Sequence, residues 1–125
     1  MSPPTILQIV PELDTGGAEL SAVEIGEAVA RAGGRSLIAT EGGRLEQTAI
    51  EQGAEIIRFA AATKNPIKLI GNIQRLADII QAENVSLLHA RSRAPAWSAL
   101  FAARRCAIPF VTTYHGAYNE KGPVK

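Results

Sequence analysis

The sequence predicts an α/β fold: a doubly wound, Rossmann-like parallel sheet with strands in the spatial order 3-2-1-4-5. Two observations carry this expectation. Short β-branched runs alternate with amphipathic helical stretches from Thr5 to Tyr114, and such βαβ units place strands parallel with helices on both faces. Glycine pairs punctuate the hand-overs, at Gly16-Gly17 where a strand gives way to a helix and at Gly33-Gly34 where that helix ends. A chain of 125 residues has room for one core, so the elements belong to a single domain, residues 1–125.

Each element can be justified in turn. Thr5 to Val10 is a β-branched run stopped by Pro11. From Gly17 to Ala32, a stripe of Ala18, Ala22, Ile25, Val29 and Ala32 repeats at helical steps. Ser36 to Thr40 reads as the second strand, Arg44 to Gln52 as a short helix closed by Gly53, and Ala54 to Phe59 as the third strand. A longer helix then opens with Pro66 near its first turn, where a missing N–H matters least. Its stripe is Leu69, Ile73, Leu76 and Ile80, widened by Ile70 and Ala77. Val85 to His89 reads as the fourth strand and Pro109 to Tyr114 as the fifth. Between them Ala94 to Ala107 is a helix with apolar residues on most faces, which predicts a well-covered element and a buried Trp97. A sugar-stacking platform is the alternative role for that tryptophan.

Composition narrows the function classes. The 46% hydrophobic and 20% charged content is that of a folded globular domain, and a net charge of +1 gives no case for nucleic acid. The single cysteine, Cys106, has no disulfide partner in the chain and reads as a small core residue in a reducing compartment. No signal peptide and no run approaching the roughly 18 apolar residues of a membrane span is visible. A cytoplasmic protein is the simplest expectation, compatible with peripheral contact at the inner membrane face.

Chemistry is expected where the chain leaves the sheet. Ligands of doubly wound sheets bind beyond the carboxyl ends of the strands at the switch point, here between the first and fourth. Gly16-Gly17, His89 with Arg91 and Arg93, and His115-Gly116 follow the first, fourth and fifth strands, which are neighbours in the predicted order. The diglycine would let a phosphate reach helix N-terminal amides; its other reading is a tight turn capped by Asp14 or Thr15. His115 could hydrogen-bond a sugar hydroxyl or phosphate, or serve only the fold. His89 reads slightly better as a satisfied strand-end residue. Arg91 and Arg93 are either solvated or turned to an anionic acceptor, which a guanidinium fork suits. Sharper motifs are absent: there is no G-x-G-x-x-G despite Glu41 after the second strand, no P-loop, no nucleophile elbow and no metal-ligand spacing.

Taken together, these segments resemble a known family. Asp14-Thr15-Gly16-Gly17-Ala18-Glu19 with Glu24 to Gly34, then Leu88 to Ala96, then Ile108 to Gly116, are similar in order and content to family-4 retaining glycosyltransferases. There a G-G-A-E turn, an H-x-H/R-S segment and an I-P-x-V-x-T-x-H-G segment recur. Ala32-Gly33-Gly34 stands where that family has R-G-H. Enzymes building bacterial lipopolysaccharide and exopolysaccharide look most similar. The resemblance implies a GT-B architecture, two Rossmann-like domains around a cleft, and retaining transfer from a nucleoside-diphosphate sugar to a glycan or lipid-linked acceptor. On that analogy Gly16 and Gly17 meet the donor phosphate, His115 lines the reaction centre, and His89, Arg91, Arg93 and Gly116 face the acceptor. No divalent metal or other cofactor is implied, since amides and basic side chains would stabilise the departing phosphate.

The resemblance also implies that this is the acceptor-side domain cut before its end. The donor-binding C-terminal domain, with its paired glutamates, has no counterpart in the sequence. The expectation is an inactive, marginally stable or self-associating fragment with at most weak phosphate or acceptor binding. The competing expectation is a stand-alone, non-catalytic α/β module that binds a nucleotide or phosphorylated ligand on the same glycine rim.

Overall fold

A computed structural model of the chain describes residues 3–10, 17–59, 65–91 and 93–112, without the side chains of 17–19 and 93–95. The strands are β1 (Thr5–Ile9), β2 (Arg35–Thr40), β3 (Ala54–Arg58), β4 (Leu87–Ala90) and β5 (Phe110–Thr112). The helices are α1 (Gly17–Arg31), α2 (Glu46–Glu51), α3 (Pro66–Glu83) and α4 (Arg93–Cys106). All strands run parallel in the order β3-β2-β1-β4-β5, the order the alternation predicts. Chain direction reverses its march across the sheet between β1 and β4, which are hydrogen-bonded neighbours.

Strand alternation splits the core in two. Leu7, Ile9, Leu37, Leu88 and Ala90 pack under α3 and α4 with Leu76, Ile80, Ala99 and Ala103, all almost fully buried. Ile38 and Ala54, on the opposite face, meet Ala22 and Val23 of α1 and Ala49 of α2. The second cluster is smaller because a polar residue, Gln8, takes the central position of β1 on that face at 1% exposure.

Three packing expectations need correction. First, α1 is turned relative to the predicted stripe: Ala22, Val23 and Gly26 face the sheet, while Ile25 is 38% exposed and Ala32 is exposed. At Gly26 a Cβ would stand 2.8 Å from the Ser36 hydroxyl, so the helix sits close to the sheet at this point. Ile25 and Val29 instead border an open apolar groove with Pro4, Ile6 and Ala28. Second, Trp97 is 65% exposed and stacks on Phe101 with ring centroids 6.3 Å apart, so α4 is not covered all round. Third, Ile70 of α3 is 68% exposed rather than part of the buried stripe.

The fourth strand also begins later than expected. Asn84 ends α3 in the left-handed conformation and the Val85 N–H donates to the Ile80 carbonyl. Val85 is therefore the buried contact of a helix stop, not the first residue of a strand. Gly33 and Ala107 close α1 and α4 in the same way, with Gly34 N–H to Val29 O and Ile108 N–H to Ala103 O. The predicted helix through Ala107 thus ends one residue earlier, at Cys106.

Candidate anion site at the carboxyl ends of the strands

The switch point is held by polar contacts rather than by apolar packing. The Arg91 backbone N–H continues the β4 ladder by donating to the Ile9 carbonyl at 3.0 Å. Two-residue alternation then puts its side chain on the same face as His89 and Gln8, which are register partners. The guanidinium Nε donates to Gln8 Oε1 at 2.7 Å and Nη1 to the Ser21 hydroxyl at 3.3 Å. Gln8 Nε2 in turn donates to the Ala22 carbonyl at 2.9 Å. One relay thereby ties β1, β4 and α1 together at the crevice.

Arg91 is 3% exposed, so it is neither solvated nor on the surface. Burial pushes its guanidinium below the usual arginine value, and an arginine so shifted still carries its charge at neutral pH. Among the described residues no carboxylate pairs with it; the ion pairs there are Arg31–Glu27, Arg35–Glu55, Arg35–Glu83 and Arg58–Glu46. A buried cation that meets neutral acceptors among the described residues raises the positive potential at the rim.

The open end of α1 adds to that potential. Gly17 is the first helical residue and Ser21 lies on the same helix face one turn later. The Arg91 contact to Ser21 therefore falls about 6 Å along the axis from the helix start. The first-turn amides of a helix lack intrahelical acceptors and carry the positive end of its dipole, so the start of α1 adds positive potential near the buried guanidinium. This arrangement suits a phosphate or diphosphate.

Of the residues singled out from the sequence, the structure brings Gly17, His89 and Arg91 to one end of β1 and β4. His89 is half-buried between Gln8 and Val111 in the sheet register, with a partner of its own. Asp14, Thr15, Gly16, His115 and Gly116 lie outside the described residues, and Arg93 is described only as the first residue of α4. Gln8 and Ser21 were not singled out. A glutamine inside an otherwise apolar central strand was the available signal.

The rim continues over β2 and β3 as an open cavity of about 290 Å³ lined by Glu41, Arg58, Phe59 and Arg75. Arg58 is held by both Glu46 carboxylate oxygens at 2.6 Å, which keeps that carboxyl below its ordinary value. Arg75 lies over the Phe59 ring at 5.8 Å and donates to the Arg58 carbonyl at 2.8 Å. Among the described residues no group of three or more His, Cys, Asp or Glu could hold a metal ion.

Fold and topology together define a doubly wound α/β domain with its switch point between β1 and β4. The chain belongs to Glycosyltransferase Family 4, whose family model matches residues 15–125. A glycosyltransferase from Rickettsia africae is similar, with 36% identity and a TM-score of 0.83, over 95% of this chain and 31% of that one. MurG of Acinetobacter baumannii superposes with a TM-score of 0.70 at 15% identity, over 88% of this chain and 34% of that one. The C-terminal domain of PF1911 hydrogenase from Pyrococcus furiosus also does, with a TM-score of 0.62 at 10% identity, over 90% and 92% of the two chains. The last two likenesses are of fold alone, and a hydrogenase domain among them shows that this sheet does not by itself specify sugar chemistry. No curated protein matches the chain.

Proposed function

We propose that this chain is the acceptor-side domain of a glycosyltransferase that moves a sugar from a nucleoside-diphosphate donor to a glycan or lipid-linked acceptor with retention. In that reaction the bond from the sugar C1 to the diphosphate oxygen breaks and a bond from C1 to the acceptor oxygen forms. The acceptor proton leaves with the diphosphate. Membership of Glycosyltransferase Family 4 supports the class. The observation that carries the site is Arg91, a buried cation without a carboxylate partner among the described residues, set one helical turn from the start of α1.

In this reading the Gly16 and Gly17 amides receive the donor phosphate, and Arg91 fixes α1 and supplies charge from beneath. His89, Arg93 and Gly116 line the acceptor side and His115 the reaction centre. Donor release is helped because preformed amides and a fixed cation meet the charge that develops on the departing diphosphate without reorganising. The domain that completes the cleft would come from the remainder of a longer enzyme. The chain on its own is expected to bind weakly, not to turn over.

Amide chemical shifts read during titration with uridine and guanosine diphosphates test this. Shifts confined to Gly17, Ala18 and the Arg91 neighbourhood, with a dissociation constant weaker than micromolar, are expected. Shifts concentrated at the opposite strand ends, around Arg35, would overturn the site.

A further inference from the structure

We propose that the cavity over β2 and β3 is a subsite for an acidic sugar unit of the acceptor, its carboxylate or phosphate taken by Arg75 and its hydroxyls by Glu41. The proposal deepens the glycosyltransferase reading and rests on it only in assigning that unit to the acceptor.

The walls of this cavity are fixed before any ligand arrives. Phe59 is buried, and its N–H donates to the Thr40 carbonyl at 3.0 Å, which holds the ends of β3 and β2 together. Arg75, from the middle of α3, is pinned twice. Its guanidinium lies over the Phe59 ring at 5.8 Å, and Nη2 donates to the Arg58 carbonyl at 2.8 Å. Arg58 gives both terminal nitrogens to Glu46, and Nη1 also reaches the Glu41 carbonyl at 3.3 Å. That ion pair stands against the loop leaving β2. A Cβ on Gly42 would lie 2.7 Å from Arg58 Nη1 and 2.8 Å from Glu46 Oε1, so the loop rests directly on the pair.

Charge decides which occupant the cavity suits. Arg58 and Glu46 neutralise each other. Arg75 and Glu41 line the same cavity, yet among the described residues neither is in an ion pair. The contacts that pin Arg75 engage the Phe59 ring and one nitrogen, and the remaining N–H groups of the fork suit an oxyanion. A plain anion would leave Glu41 facing it as a like charge. A polyhydroxylated acid satisfies both groups, since a carboxylate accepts from hydroxyls. A volume of about 290 Å³ is at the low end for small-molecule sites, room for one sugar unit rather than a nucleotide. The cavity lies two strand spacings, about 10 Å, from the crevice between β1 and β4. A ligand that reaches both is longer than one sugar, as a glycan or lipid-linked acceptor is.

The full chain, isotopically labelled on nitrogen, is titrated with glucuronate and with glucose-6-phosphate, and with glucose and inorganic phosphate for comparison. Both acidic sugars are expected to bind with millimolar dissociation constants, about tenfold or more tighter than glucose, with shifts centred on the Phe59 amide and the Arg75 Nε–H. The tighter of the two names the acidic group. Arg75→Gln should weaken both acidic sugars and inorganic phosphate about tenfold. Glu41→Ala should weaken the acidic sugars about threefold and leave inorganic phosphate as tight or tighter, a split that a loosened fold would not produce. Both side chains are exposed, so the fold should stay intact by circular dichroism. Equal affinity for glucose, no shift at Phe59 from either acidic sugar, or shifts there that survive Arg75→Gln overturn the proposal. So do shifts centred on Gly17, because the acids would then occupy the diphosphate site. Neither variant touches Arg91 or α1. Acidic-sugar binding that fails while diphosphate binding persists refutes this inference alone, and the reverse refutes the switch-point site alone.

Discussion

At the amino ends of the strands Arg35 meets two carboxylates, whereas at the carboxyl ends Arg91 meets, among the described residues, a glutamine and a serine. Arg35 Nε and Nη2 each lie 2.7 Å from a Glu55 carboxylate oxygen, and Nη2 is also 2.7 Å from Glu83 Oε1. All three side chains are between one third and about one half exposed. Those pairs raise the affinity of Arg35 for its proton, as opposite charge does, while burial lowers that of Arg91. The same residue type is thus neutralised and solvated at one end, and at the other desolvated without a counter-charge among the described residues. Neutral ends serve folding. An uncompensated buried cation costs stability and is explained when an anion completes it.

The sharpest way to break this contrast is to remove the buried cation. Arg91→Met should weaken diphosphate binding by about tenfold or more, equivalent to about 1.4 kcal/mol. It should also destabilise the chain by about 1–3 kcal/mol, because Gln8 Oε1 loses its donor inside the sheet. Adding Gln8→Leu removes the stranded acceptor, so Gln8→Leu with Arg91→Met should recover most of that stability and none of the binding. Calorimetry and urea unfolding on the same samples separate the two effects. If the double variant binds diphosphate normally, the positive rim is not the site.

A second change acts on the position of α1 rather than on its charge. Gly26→Val would place side-chain carbon where the Ser36 hydroxyl and Gln8 Nε2 lie, at 2.8 and 3.8 Å from a Cβ alone. Overpacking of this kind costs about 1–3 kcal/mol, and the helix must tilt away from the sheet to relieve it. Gly26→Ala should be close to neutral in urea unfolding. Its gain in helix propensity, about 1 kcal/mol, offsets a contact that the Ser36 side chain can relieve by rotating, since among the described residues that hydroxyl has no hydrogen-bond partner to lose. Diphosphate affinity should fall in the valine variant and hold in the alanine one, as expected if the height of α1 over the crevice matters.

How far the sequence could be read follows the same physics. Periodicity and punctuation report local structure, and the strand order followed from the alternation with right-handed crossovers. The three helix stops show the gradient. Gly33 announces a left-handed residue, Asn84 permits one, and Ala107 gives no sign that it adopts φ 57°. Partners across the sheet are harder to see. Nothing local says that Arg91 reaches Gln8, 83 positions away, because that contact exists only once β1 and β4 are neighbours. Trp97 was misplaced for a related reason: an apolar helix is expected to be covered, and only its packing against α3 decides which side remains open. The segment carrying His115 and Gly116 lies outside the described residues, so the reaction-centre assignment still rests on resemblance.

The neutralised end supplies the smallest and most discriminating effect. Arg35 holds the Glu55 carboxyl below its ordinary value, chiefly through the paired hydrogen bonds. The unfolded chain therefore takes up that proton at a higher pH than the folded one. The stabilisation is fully present above the unfolded value of about 4.3 and fades as pH falls through the lower folded value. With both partners about half exposed, it amounts to less than about 1 kcal/mol at neutral pH. Glu55→Gln should flatten the acid limb of a stability-against-pH curve slightly and leave diphosphate affinity untouched. Added salt should weaken the Glu55 contribution and the diphosphate affinity together, yet only Arg91→Met should abolish the salt dependence of binding. If Glu55→Gln altered binding as much as Arg91→Met, the two ends of the sheet would not be electrostatically independent, and the division of labour argued from the two arginines would fail.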